Sequence, residues 1–88
     1  MSKINEALRI IRVLHGTKVK DLSEKINISA GYISDIENGN KKPSVDIIEK
    51  YAEFFETTPS ALWFFSEELD SKRGPFKNAI RNQMLLLL

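Results

Sequence analysis

The chain is poor in reactive side chains. Its 88 residues include no cysteine and one histidine. Without thiols, disulfides and thiolate chemistry are excluded, and an intracellular home is the default expectation. His15 has no second histidine, cysteine or acid cluster beside it, so it is read as a helix-end residue rather than a ligand or catalyst. No nucleophile stands with a base, no metal-ligand spacing occurs, and no glycine loop is built to cradle phosphate. The expectation is a non-enzyme with no cofactor and no metal. No apolar run approaches the roughly 20 residues of a bilayer-spanning helix. The opening Met-Ser-Lys-Ile-Asn-Glu alternates polar with apolar residues and lacks the core of a secretory leader. No internal repeat is present.

What the chain does have is an ordinary hydrophobic fraction of 42% and an unevenly distributed charge. The formal net charge is only +1. Residues 1–44 carry eight Lys/Arg against five Asp/Glu, a net of +3, whereas residues 45–70 carry one against seven, a net of −6. Residues 71–88 add four basic residues and no acid. Association with a polyanion follows the local field rather than the total. The basic first half is therefore the side that meets such a partner, and the acidic block is expected to face away.

Apolar spacing and boundary residues predict an all-α chain of five helices joined by short loops. Helix 1 is expected over Ser2 to Leu14, with Ile4, Ala7, Leu8, Ile11 and Leu14 on one face and Gly16 after it. Helix 2 is expected from Thr17 or Lys18 to Ile26, with Asn27 in a left-handed turn. Ser29 caps helix 3, which stops at Gly39. Pro43 bars helix just before it, and Ser44 caps helix 4 through about Glu56, with Val45, Ile48, Ala52 and Phe55 inward. Glu49, Glu53 and Glu56 make its wet face. Thr58-Pro59 opens helix 5, expected to end near Leu69.

The most informative stretch is Leu22–Ser44. Leu22, Ile26, Ile28, Ile33 and Ile36 form a seam that locks two short helices across a tight turn. Ala30, Gly31, Ser34 and Asp35 remain on the outside, small and polar, with Lys41 and Lys42 in the following loop. Such a helix suits a surface that lies against nucleic acid. Leu22-Ser-Glu-Lys-Ile-Asn-Ile-Ser, Tyr32-Ile-Ser-Asp-Ile-Glu-Asn-Gly and the Lys-Lys-Pro-Ser that follows resemble the helix-turn-helix family of phage Cro and lambda-type repressors. Thr57-Thr-Pro-Ser-Ala-Leu resembles that family's opening of a fifth helix, so the likeness covers about residues 4–65.

The resemblance implies a five-helix DNA-binding domain over residues 1–70 that binds a palindromic operator as a two-fold homodimer, with the third helix in the major groove. Ala30, Gly31, Ser34 and Asp35 then take base-facing positions. Ser29 at the helix start is counted with the DNA-binding residues, and Tyr32, Asn40, Lys41, Lys42 and Lys18 take positions that usually meet phosphate. Arg12 and Glu37 match a pair that often forms a salt bridge between helices 1 and 3. Family members usually place a phosphate-contacting Gln where this chain has Val19, and Lys18 and Lys20 beside it are expected to compensate. With no long Gln or Arg at the base-facing positions, a thymine methyl against Ala30, close backbone approach at Gly31 and DNA shape are expected to carry specificity. Tyr32 serves either as a phosphate contact or as a partly buried helix residue. Asp35, which repels phosphate, is a capping or solubilising group unless it accepts from a cytosine amine.

Trp63, Phe64 and Phe65 are read as core plus dimer interface rather than a ligand pocket. Beyond the break at Ser71-Lys-Arg-Gly-Pro75, Phe76, Ala79, Ile80, Met84 and Leu87 recur at helical spacing. Residues 71–88 are thus a basic, apolar extension expected to form a sixth helix for dimerisation, with Phe76, Ile80, Met84 and Leu87 joining Trp63 and Phe64 in the interface. The terminal leucines either dock against a partner or precede further chain. The function expected is a cytoplasmic transcriptional repressor, bacterial or phage-encoded, with no membrane association. The alternatives are an antitoxin that binds its toxin and represses its own operon, and an interaction module that has lost DNA binding. A toxin or antirepressor protein is the further partner class.

Overall fold

The boundary residues do most of the work of shaping this chain. In a computed structural model, residues 3–70 are described. They form α1 (Ile4–Leu14), α2 (Val19–Ile26), α3 (Ala30–Glu37), α4 (Val45–Phe54) and α5 (Pro59–Asp70), with no strand among the described residues. The expected sixth helix, and with it Phe76, Ile80, Met84 and Leu87, lies outside the described residues. Gly16 at φ 65° and Gly39 at φ 83° turn the chain out of α1 and α3 in the left-handed region that glycine enters without strain. Asn27 does the same after α2 at φ 57°. Ser29, Ser44 and Thr58 cap the helices that follow, their hydroxyl oxygens accepting from the backbone N–H groups of Tyr32, Ile47 and Ala61 at 3.1–3.2 Å.

One core serves all five helices. Leu8, Ile10, Leu22, Ile33, Ile36, Tyr51 and Leu69 are the large side chains fully enclosed in it. α1 packs against both α5 and α3, α2 against α3 and α4, and α4 against α5. The seam between α2 and α3 is closed by Leu22, Ile26, Ile33 and Ile36, with Ile28 half-buried against them. That seam fixes α3 relative to the rest of the molecule, so its outer face is presented at a set angle.

Three local expectations are corrected. On α1, Ile10 and Val13 are buried while Ile11 and Leu14 are only half-buried. Because α1 has neighbours on two sides, its apolar face is wider than a single stripe. Ile11 and Leu14 border a shallow cleft with Ala61, Leu62 and Phe65. On α4, Val45 is 72% exposed, whereas Ile48, Ala52 and Phe55 are buried as expected and Ile47 and Tyr51 join them. The helix also ends at Phe54, earlier than Glu56, because Glu56 is left-handed at φ 56° and the Thr57 N–H closes onto the Ala52 carbonyl at 2.8 Å. That turn buries Phe55 against Phe54 and His15, with ring centroids 4.8 and 4.9 Å apart. The His15 contact is tilted at 52° and the Phe54 contact edge-to-face at 88°.

Candidate nucleic-acid interface

Several elements hold α3 from behind. The Ser23 hydroxyl donates to the Ile28 carbonyl at 2.6 Å, bracing the turn that delivers Ser29 to the start of the helix. At the far end, the Asn5 side-chain amide donates to the carbonyls of Ile36 (2.6 Å) and Lys41 (2.7 Å). It thereby ties the last turn of α3 and the basic loop to α1. Sequence reasoning missed Asn5. Its partners lie 31 and 36 residues away, and an asparagine on a helix surface gives no sign of them.

Between these ties sits a buried charged group. The Arg12 guanidinium grips the Glu37 carboxylate, its Nε donating to both oxygens at 2.9 Å and an Nη approaching Oε1 at 2.8 Å. The other Nη donates to the Thr17 carbonyl at 2.8 Å, and the Tyr51 hydroxyl donates to Glu37 Oε2 at 2.8 Å. Glu37 is 3% and Arg12 15% exposed at the side chain. No buried side-chain polar atom among the described residues lacks a partner. A buried charge is tolerated only when its hydrogen bonds are complete, and here they are. Burial raises the Tyr51 pKa above its ordinary value, and the charge and hydrogen bond of Glu37 push it the same way. Sequence reasoning missed Tyr51 as well. It brings the third member of the group from α4.

The outer face of α3 is different in kind. Ser29, Ala30, Gly31 and Tyr32 are exposed, Ser34 and Asp35 half-buried, and Asn40, Lys41 and Lys42 exposed in the loop. A Cβ placed on Gly31 would meet nothing within 4 Å. The protein itself therefore gives no steric reason for glycine inside an eight-residue helix. Tyr32, Asp35 and Lys41 come together: Lys41 Nζ lies 3.8 Å from Asp35 Oδ2 and 4.9 Å from the Tyr32 ring centroid. Lys18 and Lys20 open α2 as exposed cations, while Val19 between them turns inward and packs against the core. Val19 thus serves packing where the family likeness expects a polar clamp.

Two further features border this face or lie apart from it. Trp63 and Phe64 are 43% and 54% exposed on α5, and Ala61, Phe64, Phe65 and Glu68 line an open cleft of ≈ 400 Å³. No group of three or more potential metal-ligating side chains occurs among the described residues. No helix there is long and apolar enough to cross a membrane.

A family model described as "Helix-turn-helix" matches residues 8–62, which span α1 through the first turn of α5. The chain belongs to the Cro/C1-type helix-turn-helix family. Among curated relatives, this helix-turn-helix protein is 34% identical over 56 residues to the HTH-type transcriptional regulator DdrOP3 of Deinococcus deserti, covering 64% of this chain and 43% of that one. It is 29% identical over 75 residues to the Competence pilus inhibition repressor of Acinetobacter baylyi, covering 85% of this chain and 68% of the relative. It is 33% identical over 45 residues to the Transcriptional regulator ClgR of Mycobacterium tuberculosis, covering 51% of this chain and 40% of that one. The chain thus spans less than half the length of two of these relatives and about two thirds of the third.

Proposed function

We propose that this helix-turn-helix protein is a sequence-specific DNA-binding transcriptional regulator, acting as a repressor, that lays α3 in the major groove of a palindromic operator as a homodimer. One observation carries the reading most. α3 is braced from behind by a complete buried polar group yet bare in front, with an unhindered glycine at its outer surface and lysines at its edge. A bare helix face lets the backbone approach base edges closely, and flanking cations supply phosphate contacts. Ala30, Gly31, Ser34 and Asp35 face the bases in this reading. Ser29, Tyr32, Asn40, Lys41, Lys42, Lys18 and Lys20 meet the sugar-phosphate backbone. The relatives are named as transcriptional regulators or a repressor, which supports the same class. A cytoplasmic location accompanies it.

Dimerisation is the second part of the proposal, because one short α3 reads too few base pairs for useful specificity. Trp63 and Phe64, with the adjoining cleft, are the surface available to a second copy, and residues 71–88 are proposed to complete it. Selection of bound sequences from random duplex DNA, paired with sedimentation at about tens of micromolar, tests both parts. The expected result is an enriched motif with two-fold symmetry and a dimer, free or on DNA. Failure to enrich any sequence overturns the DNA-reading part. A monomer both alone and on DNA overturns the dimer and leaves the α5 cleft to another protein, such as a toxin or antirepressor.

A further inference from the structure

The outer face of α3 carries a carboxylate where a polyanion is expected to lie. Asp35 repels phosphate, so its presence needs a reason. Its surroundings supply one. The Asp35 carbonyl accepts from the N–H groups of Asn40 (2.8 Å) and Lys41 (3.2 Å), and Asn5 holds the Lys41 carbonyl. The Lys41 backbone is therefore fixed in register with α3, and its ammonium hangs between the Asp35 carboxylate and the Tyr32 ring. Lys42, one residue on, has no ion-pair partner among the described residues. The two neighbouring loop cations thus start from different states: one engaged, one available.

We infer that Asp35 is a specificity-determining residue that restrains Lys41 until the correct base pair lies under α3. On non-specific DNA the carboxylate keeps Lys41 and opposes phosphate. On a site with cytosine beneath it, the carboxylate accepts from the cytosine exocyclic amine, and Lys41 is released to a phosphate. Guanine and thymine present acceptors at that place in the major groove, and adenine sets an acceptor beside its amine, so cytosine is the base that satisfies a carboxylate best. The pair itself is exposed and long, with side chains 44% and 52% accessible, so it is weak enough to exchange. This inference rests on α3 entering the major groove.

The test compares wild type with Asp35→Ala, Asp35→Asn, Lys41→Ala and Lys42→Ala. Bound sequences are selected from random duplexes, and non-specific affinity is measured across a salt series. Thermal unfolding of each variant checks the fold. In wild type one position of each half-site is expected to be cytosine. Asp35→Ala should lose that preference, bind non-specific DNA about 5–10-fold more tightly, and steepen the non-specific salt slope by about 1 as Lys41 becomes available. Asp35→Asn should move the preference toward adenine, which an amide reads through N6 and N7. Lys41→Ala should flatten the slope on the selected site alone, whereas Lys42→Ala should flatten it on every sequence. An unchanged motif and unchanged non-specific affinity in both Asp35 variants overturn the restraint while leaving DNA reading by α3 intact. A wild type that selects no sequence overturns both.

Discussion

Glu37 and Asp35 stand two residues apart on the same helix and meet opposite surroundings. The Glu37 side chain is 3% exposed and shared by Arg12 and Tyr51, while the Asp35 side chain is 44% exposed and faces one lysine at 3.8 Å. Behind α3, no buried side-chain polar atom among the described residues lacks a partner. In front, the groups are few and loosely engaged. The contrast separates two jobs that a charged residue can do on one helix. A fully partnered buried charge fixes geometry, and a half-exposed one stays free to change partners.

The sharpest way to break this contrast is to cut the inner group. Arg12→Met or Glu37→Leu alone should lose about 3–5 kcal/mol of stability, because each leaves an unpaired charge in a closed site. The double replacement should recover much of the loss, and chemical denaturation of all four proteins gives the coupling directly. Additive losses would show that the two residues act separately. Tyr51→Phe should cost about 1.5–3 kcal/mol, the worth of a hydrogen bond to a charged group. This loss should also depend on pH. The folded protein keeps the Tyr51 proton above the ordinary tyrosine range, whereas the unfolded chain releases it near pH 10. The stability contributed by the hydroxyl is thus complete below about pH 10 and falls as pH rises beyond it. The gap between wild type and Tyr51→Phe should narrow above that pH, and a gap that widens there would contradict the assignment.

On the outer side, effects on stability should be small and effects on DNA binding larger. Gly31→Ala should gain about 0.4–1 kcal/mol of stability, since the added methyl meets open space and restricts the unfolded chain. The same change should weaken operator binding if the bare backbone approaches DNA. Stabilisation with unaltered binding would remove Gly31 from the interface. Lys42→Ala is the smallest perturbation, with stability expected within about 0.5 kcal/mol of wild type. Its salt slope for DNA binding should fall by about 1 per protomer bound. A changed operator preference with an unchanged slope would move Lys42 from phosphate to base.

Much of the frame was legible because it depends on local chemistry. Ser29, Ser44 and Thr58 each cap a helix through the spacing that predicts it, and Gly16, Asn27 and Gly39 turn where a left-handed residue was needed. Other features depend on how helices cross. The partnership of Arg12 with Glu37 came from family likeness, since periodicity does not say which carboxylate lies 25 residues from a guanidinium. Tyr51 and Asn5 gave no local sign of their partners, which lie 14 residues away for Tyr51 and 31 and 36 for Asn5. Glu56 was unreadable for another reason. A glutamate takes left-handed backbone there, where sequence rules expect Gly or Asn, beside the buried Phe55. On the outer face, the residue types were visible, but not that Lys41 folds back over Tyr32 toward Asp35.

In the proposed complex, the face of α3 braced by Arg12, Glu37 and Tyr51 is the one that meets DNA. Titrating a selected operator duplex into isotope-labelled protein and following backbone amide shifts tests it most directly. The largest shifts are expected at residues 18–20, 29–35 and 40–42, diminishing as salt is raised. Shifts concentrated on the exposed face of α4 or around Trp63 and Phe64, with α3 unmoved, would contradict it.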